Sequence, residues 1–477
     1  MRTQTKDLEL TCLPDTGRSK IEMMEDYGLL TLLPVFVVIV LAIITRSSFE
    51  PLIVGILTAC VIAYKGNFLT KFIEHLTTAL TDKNSGWVIL VCMLYGSMIT
   101  MMIRGGGTKG FSDFLLRYVH NRRSALLSAW ILGILIFVDD YLHSLSVGAA
   151  MKKITDKFNI SRELLAYIVH ATSAPLCILL PISTWSIFIS VILEKEGLVP
   201  KGQGMIGYMQ AIPFMAFGFV GIALVLLVAL GWFPIIGKMK AAELRAAGGV
   251  TIPPDPGHVS DTEAKDESIS QKNKIGYFIW PMVVLIATTV YFDFDALKGA
   301  LITNFFVFIY LFLDKSLKLR QLSDAILHGF NTILFPIILV ILAFALKLVN
   351  DDLHLVQYVI AHVEPYMSKE MFPAIAFITL ATIAFLTGSS WDLYVIAIPL
   401  MVPLSQSLGT NVWVAVSVVV CAGAFGSNTG FFSDSTILSA ASTNVPTMQH
   451  ALTQLPYAII AMLVSTGIYI LIGFATV

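Results

Sequence analysis

Across 477 residues the chain is 56% hydrophobic and 13% charged, with a formal net charge of −1 and a mean hydropathy of +0.79. No ordinary soluble domain carries that balance, so the composition defines a polytopic membrane protein set in a lipid bilayer. It offers no basic face for nucleic acid, and no GxxxxGK[ST] motif or soluble segment large enough to hold a nucleotide, which argues against an ATP-driven pump.

Residues 1–26 read as a polar tail without the apolar core or cleavage site of a signal peptide. Apolar blocks then start near 29, 50, 86, 125, 163 and 208 and, past a polar interval, near 276, 298, 326, 372, 413 and 451. Each start in the second set follows its counterpart by 240 to 250 residues, a regularity that marks two structural repeats. The boundaries drawn from it are a first transmembrane repeat over 27–237 and a second over 276–477. Between them, 238–275 reads as a cytoplasmic linker containing IPPDPGHVSDTEAKDESISQKNK, exposed and without apolar periodicity. The five cysteines show no metal-site spacing and read as small core residues.

Lysine and arginine orient the chain. Arg104, Lys109, Arg117, Arg122 and Arg123 precede the block over 125–151, and Lys152, Lys153, Lys157 and Arg162 follow it, so both of its ends are cytoplasmic. At 27 residues that block is too short for two spans and is expected to form a re-entrant hairpin with Asp139 and Asp140 at its tip. The block over 372–403 becomes a second hairpin from the opposite face, with TGSSWD at its tip. The expectation is therefore an all-α polytopic fold of two inverted repeats, each with five transmembrane helices, one re-entrant hairpin and one broken helix. This orientation puts the N-terminus outside, against the four basic residues of its tail.

After each hairpin comes an overlong apolar block interrupted by helix breakers and hydroxyls: AYIVHATSAPLCILLPISTW in the first half and VCAGAFGSNTGFFSDSTILSAAS in the second. A helix broken inside the membrane frees backbone groups, tolerated where they face protein, water or a solute. Two hairpin tips and two broken helices meeting at mid-membrane make a place where helix N-termini hold anions and loose oxygens hold a cation. Sodium, a hard cation, takes oxygen ligands, which Asp139, Asp140, Ser389, Ser390, Asn428, Ser433, Asp434 and Thr436 supply. His143 and His170 add imidazoles, whose unperturbed pKa of about 6.5 suits a carrier that takes up and releases protons.

Plainer roles are open at each position. Two adjacent acids also cap a hairpin tip, although mid-membrane acids are costly enough to be functional by default. Asp434 also serves as an N-cap of STILSAAS, His170 as a hydrogen-bonded core residue, and Trp185 and Trp391 as packing. RGGGTKG, Arg104 to Gly110, follows a membrane helix and lacks the ending of a phosphate loop, so it reads as a connection.

At DDYLHSLSVGAAMKKITDKFNISRELLAYIVHATSAPLCILLPISTW, GSSW, FSDSTILS and TQLPYA the chain resembles the NhaC-type sodium/proton antiporter family of the ion transporter superfamily. The resemblance implies hairpins and broken helices in inverted repeats, homodimers and an elevator motion. It also implies that Asp139, Asp140, Thr172, Ser173, Ser389, Ser390, Ser433, Asp434, Ser435 and Thr436 line the site. The chain departs from the family twice: His170 stands in VHATSAP where relatives carry an acid in an IDSTAAP-like motif, and GSNTGFFSDST replaces a GDHCSPISDTT-like stretch.

The sequence thus points to a multi-pass transporter of the bacterial inner (plasma) membrane, without enzyme activity or cofactor, exchanging sodium for protons by alternating access. Asp139, Asp140 and Asp434 are its sodium ligands, and with His170 they hold ions and protons. The alternative is a sodium- or proton-coupled carrier of a small carboxylate or amino acid, in which Asn428, Thr429 and the serines bind the solute. A membrane hydrolase built on the aspartates would be a third class, but no HExxH motif is present.

Overall fold

The computed structural model describes residues 27–45, 49–137, 139–181, 183–253, 272, 274–292, 295–355, 357–358, 362, 367–388 and 390–476. It is all-helical, with no strand among the described residues. In lipid a backbone must satisfy its own hydrogen bonds, and a helix does so within one segment.

The first half runs α1 (Leu33–Thr45), α2 (Phe49–Tyr64), α3 (Phe68–Thr81), α4 (Lys83–Arg104), α5 (Gly107–Leu115), α6 (Arg122–Leu135), α7 (Asp140–Lys157), α8 (Arg162–Leu179), α9 (Thr184–Lys195), α10 (Gly204–Ala211) and α11 (Ala216–Leu230). After α12 (Gly237–Ala247), the second half runs α13 (Gly276–Tyr291), α14 (Ala296–Leu313), α15 (Leu319–Asp352), α16 (Phe372–Thr387), α17 (Trp391–Ser407), α18 (Val412–Thr429), α19 (Asp434–Thr443) and α20 (Thr447–Ala475). Among the described residues seven helices are long and apolar enough to cross a membrane, or eight if α10 and α11, bent by 57°, form one span.

The repeat survives as a register of elements. The starts of α6, α7, α8 and α9 precede those of α16, α17, α18 and α19 by 250, 251, 250 and 250 residues. In both halves a break falls where a hairpin tip was expected, before Asp140 and before Trp391, and a second break divides the overlong block that follows. Ser389, in the second tip, lies outside the described residues, as do residues 1–26.

Caps fix these breaks. Asn121 and Ser183 each form a reciprocal capping box at the start of α6 and α9. Ser161 and Ser433 cap α8 and α19 through their hydroxyls. Gly388, with φ +67°, ends α16 in the left-handed region that glycine enters without strain.

The core belongs to α8 and α18, buried along almost their whole length on every face. Outward helices instead present apolar side chains such as Trp280, Phe305 and Leu463, as a lipid-facing surface should. Cys60, Cys92, Cys177 and Cys421 are buried free thiols, as core residues would be.

The stretch read as an exposed linker differs at its start. In α12, Met239, Ala242, Glu243 and Ala246 are buried at helical spacing, and the helix packs on α8 and α20. The short residues of KMKAAELRAA hide an amphipathic helix that leaves Lys238 and Lys240 exposed and partners Glu243 and Arg245 inside the protein. Arg245 donates to both oxygens of the fully buried Glu163, at 2.9 and 2.7 Å, and Ser161 donates its N–H and hydroxyl to Glu243 at 2.9 and 2.6 Å. Residues 254–271 lie outside the described residues.

Candidate ion site

Three buried or half-buried carboxylates occupy the N-termini of two half-helices. Asp139 is the N-cap of α7: its Oδ1 accepts from the N–H groups of Tyr141 and Leu142 at 3.1 and 3.0 Å. The plain capping role is therefore real, yet it uses one oxygen, while Oδ2 accepts from Thr184 at 3.2 Å. Asp140, in the first turn, accepts from the Trp185 indole N–H at 3.0 Å. Asp434 is not the cap of α19, a role Ser433 fills; it stands one residue on and accepts from the Tyr141 hydroxyl.

The N-terminus of α9 meets that of α7 through Thr184 and Trp185, and α7 meets α19 through Tyr141. Ser144 and Ser439, 3.0 Å apart, continue the α7–α19 contact. Helix N-termini carry partial positive charge that favours anions. Asp139 and Asp140 accept from neutral groups, backbone N–H, hydroxyl and indole. The oxygen donors of this cluster fit a hard cation.

A second polar cluster lies at the break between α18 and α19. His170, from α8, approaches the Ser427 carbonyl at 3.1 Å and the Ser435 hydroxyl at 3.2 Å. On its other side stand Gln454 and His450 of α20, at 3.1 and 3.0 Å. Ser427 and Ser435 share a hydroxyl contact of 2.6 Å, and Gln454 donates to the Asn428 carbonyl.

The remaining sequence candidates divide. His143 is held between the Ile136 carbonyl and Thr172, both at 3.0 Å, and so braces α7 against α6 and α8. Ser173 donates to the carbonyl of His170, Thr429 to that of Phe425, and Ser390 to that of Gly423. These hydroxyls serve backbone at the breaks. Ser433 and Thr436 do the same, donating to the carbonyls of Ser427 and Gly430 at 2.6 and 2.7 Å. Trp185 packs at a tilt against Trp391, 5.1 Å between centroids, but its indole N–H also holds Asp140. Sequence reasoning missed Tyr141, His450 and Gln454. Tyr141 follows the aspartate pair directly and Gln454 lies within TQLPYA, so both were in view; His450 carries no local signal.

An all-helical membrane protein with paired helix breaks and buried acids at their N-termini defines the class of ion-coupled transporters. A family model described as the Na+/H+ antiporter family matches residues 201–474, more than half of the chain, and the chain belongs to that family. An uncharacterized protein of Haemophilus influenzae is 27% identical over 93% of this chain and 91% of its own. The malate-2H(+)/Na(+)-lactate antiporter of Bacillus subtilis is 21% identical over 40% of this chain and 41% of its own. Among solved structures, Neisseria gonorrhoeae MtrF, described with a class of antimetabolite efflux pumps, aligns over 86% of this chain and 85% of its own. That alignment has a TM-score of 0.33 and 14% identity, too low to carry an argument.

Proposed function

We propose that this protein exchanges sodium for protons across the bacterial plasma membrane, with alternating access between two oppositely oriented repeats. The observation that carries the reading is the meeting of Asp139, Asp140 and Asp434 at helix N-termini, joined through Thr184, Trp185 and Tyr141. Net negative charge buried in a membrane protein is costly without a cation or proton, so each entry of one favours departure of the other. Sodium and protons are the cargo; the chain's own residues bind and orient them. The homodimer implied by the family resemblance belongs to the same proposal.

The test is dissipation of a pH gradient in vesicles containing the purified protein. Sodium alone should collapse the gradient, and Asp140→Asn should abolish the effect. A second reading, exchange of a small organic acid, is favoured by Asn428, whose buried Oδ1 has no hydrogen-bond partner among the described residues and can accept from the hydroxyl of a hydroxy acid or the ammonium of an amino acid. The name of the Bacillus subtilis relative points the same way. If sodium alone does nothing while malate, lactate or an amino acid added with it collapses the gradient, that reading replaces the first.

A further inference from the structure

His170 and His450 are both fully buried, on helices from different halves of the chain, with Nδ1 of the first 3.0 Å from Nε2 of the second. Hydrogen-bond accounting shows what the pair accommodates. His170 Nε2 faces the Ser427 carbonyl, which only accepts, and the Ser435 hydroxyl, which can accept as well, so a hydrogen on that nitrogen serves both contacts. His170 Nδ1 faces Gln454 Oε1 as well as His450. The Gln454 amide cannot turn to help, because its nitrogen already donates to the Asn428 carbonyl. With both rings neutral, His450 Nε2–H donates to the Nδ1 lone pair, and Gln454 Oε1 faces that same lone pair without a hydrogen between them. One added proton on Nδ1 supplies the missing donor. His450 Nδ1 has no partner among the described residues, which leaves that ring free to change tautomer and accept at Nε2.

We propose that the His170–His450 pair is the proton seat of the exchange, separate from the carboxylate cluster that seats sodium. This rests on the sodium/proton reading above and adds to it the residues that hold the proton. Beside Gln454 and Asn428 lies a cavity of about 10 Å³, room for one water, walled by Tyr167, Phe217 and Tyr457. Gln454 joins that cavity to His170; uptake takes a proton from hydronium and leaves water, forms one N–H bond at His170 Nδ1 and adds one positive charge to the pair, and release reverses it. His170 also touches Ser435, the neighbour of Asp434, so the added charge faces the sodium seat across one residue of α19. Proton and sodium then exclude each other by repulsion, without sharing a ligand.

The other ionisable groups around His170 are few. His143 on α7 acts on it electrostatically and His450 on α20 touches it, while Tyr167 lies on its own helix, Tyr457 on α20 and Asp434 on α19 next to the Ser435 it contacts. The only charged side chains on α6 are Arg122 and Arg123 at its start, α18 has only Cys421 as an ionisable residue, and α11 has none.

The experiment adds sodium to the purified full chain in weak buffer between pH 6 and 8.5, measuring bound radioactive sodium and released protons together. In the native chain sodium binding should release protons. His170→Gln should bind sodium while releasing about one proton fewer per chain, and His450→Gln should shift the pH of half-maximal release. Full release at an unshifted pH in both variants, with sodium still bound, would place the seat at the carboxylates and overturn this proposal while leaving the antiporter reading intact. Failure of the native chain to bind sodium, or to release protons on binding it, would overturn both. Should either variant misfold, infrared difference spectra of native protein with ring-labelled histidine decide: sodium should remove an imidazolium band, and no histidine change would sink the idea.

Discussion

The Tyr141 hydroxyl donates to Asp434 Oδ2 at 2.5 Å, joining α7 to α19 across 293 positions of sequence. Tyr141 is itself held in place because the two residues before it are the aspartates of the break. The contact therefore ties all three carboxylates into one geometry. Removing a hydrogen bond to a charged group costs about 1.5 to 3 kcal/mol. Tyr141→Phe should lower sodium-driven proton exchange about tenfold or more, while the protein still elutes as a single folded species. Unchanged exchange in vesicles would show that the link is only structural.

Asp139 has two tasks that substitution can separate. Asparagine caps a helix about as well as aspartate, whereas alanine loses about 0.5 to 2 kcal/mol. Asp139→Asn should keep thermal stability and lose exchange; Asp139→Ala should lose both. Thermal unfolding in detergent beside vesicle exchange reads the two tasks apart, and an active Asp139→Asn protein would confine the residue to capping.

Gly148 lets α7 approach α19: a methyl group there would overlap the Ser442 hydroxyl. Overpacking of this kind costs about 1 to 3 kcal/mol. Gly148→Ala should lower the unfolding temperature and exchange activity together, and adding Ser442→Ala should restore part of both. No restoration would place the strain elsewhere.

Arg245 balances Glu163, which is fully buried and also accepts from Gln449 at 2.6 Å. Breaking a buried pair from one side costs about 3 to 5 kcal/mol. Arg245→Ala should therefore destabilise strongly, and the double variant with Glu163→Gln should recover stability because no unpaired charge remains. Thermal unfolding of the four proteins in the cycle measures it.

Lys274, at the other end of the polar interval, donates to Asp314 at 2.8 Å, and Tyr277 donates to the same carboxylate. These hydrogen bonds hold the Asp314 carboxyl down to about 2. A depressed carboxyl stabilises the fold above its unfolded value near 3.9 and loses that contribution only as pH falls through about 2. The Lys274–Asp314 contact thus stays ionised from pH 5 to 9. Asp314→Asn should leave the shape of the exchange pH profile unchanged while speeding proteolysis between 238 and 275. A shifted profile would give this contact a part in proton sensing.

Much of the architecture was legible because bilayers impose long-range rules on local sequence. Apolar block lengths, breakers and the spacing of about 250 residues showed the helices and their two breaks per half, and the cost of burying acids singled out Asp139 and Asp140. Asp434 stood out instead through the broken block and its oxygen donors; the plainer alternative that it caps STILSAAS falls one residue away, since Ser433 and Asp434 are both good caps and only backbone geometry chooses between them. The buried face of α12 was missed because alanines beside lysines look like solvent until Glu163 and Ser161 are placed next to them.

The sequence by itself determined that this is a helical membrane protein of the sodium/proton antiporter family with acids at a break, since hydrophobicity and helix breaking are properties of neighbouring residues. Only the tertiary structure decided which hydroxyls face those acids and which serve their own backbone. It alone brought Tyr141 to Asp434 and His450 to His170, because each pair is nearly 300 positions apart and nothing in either segment encodes the direction of the other's side chain.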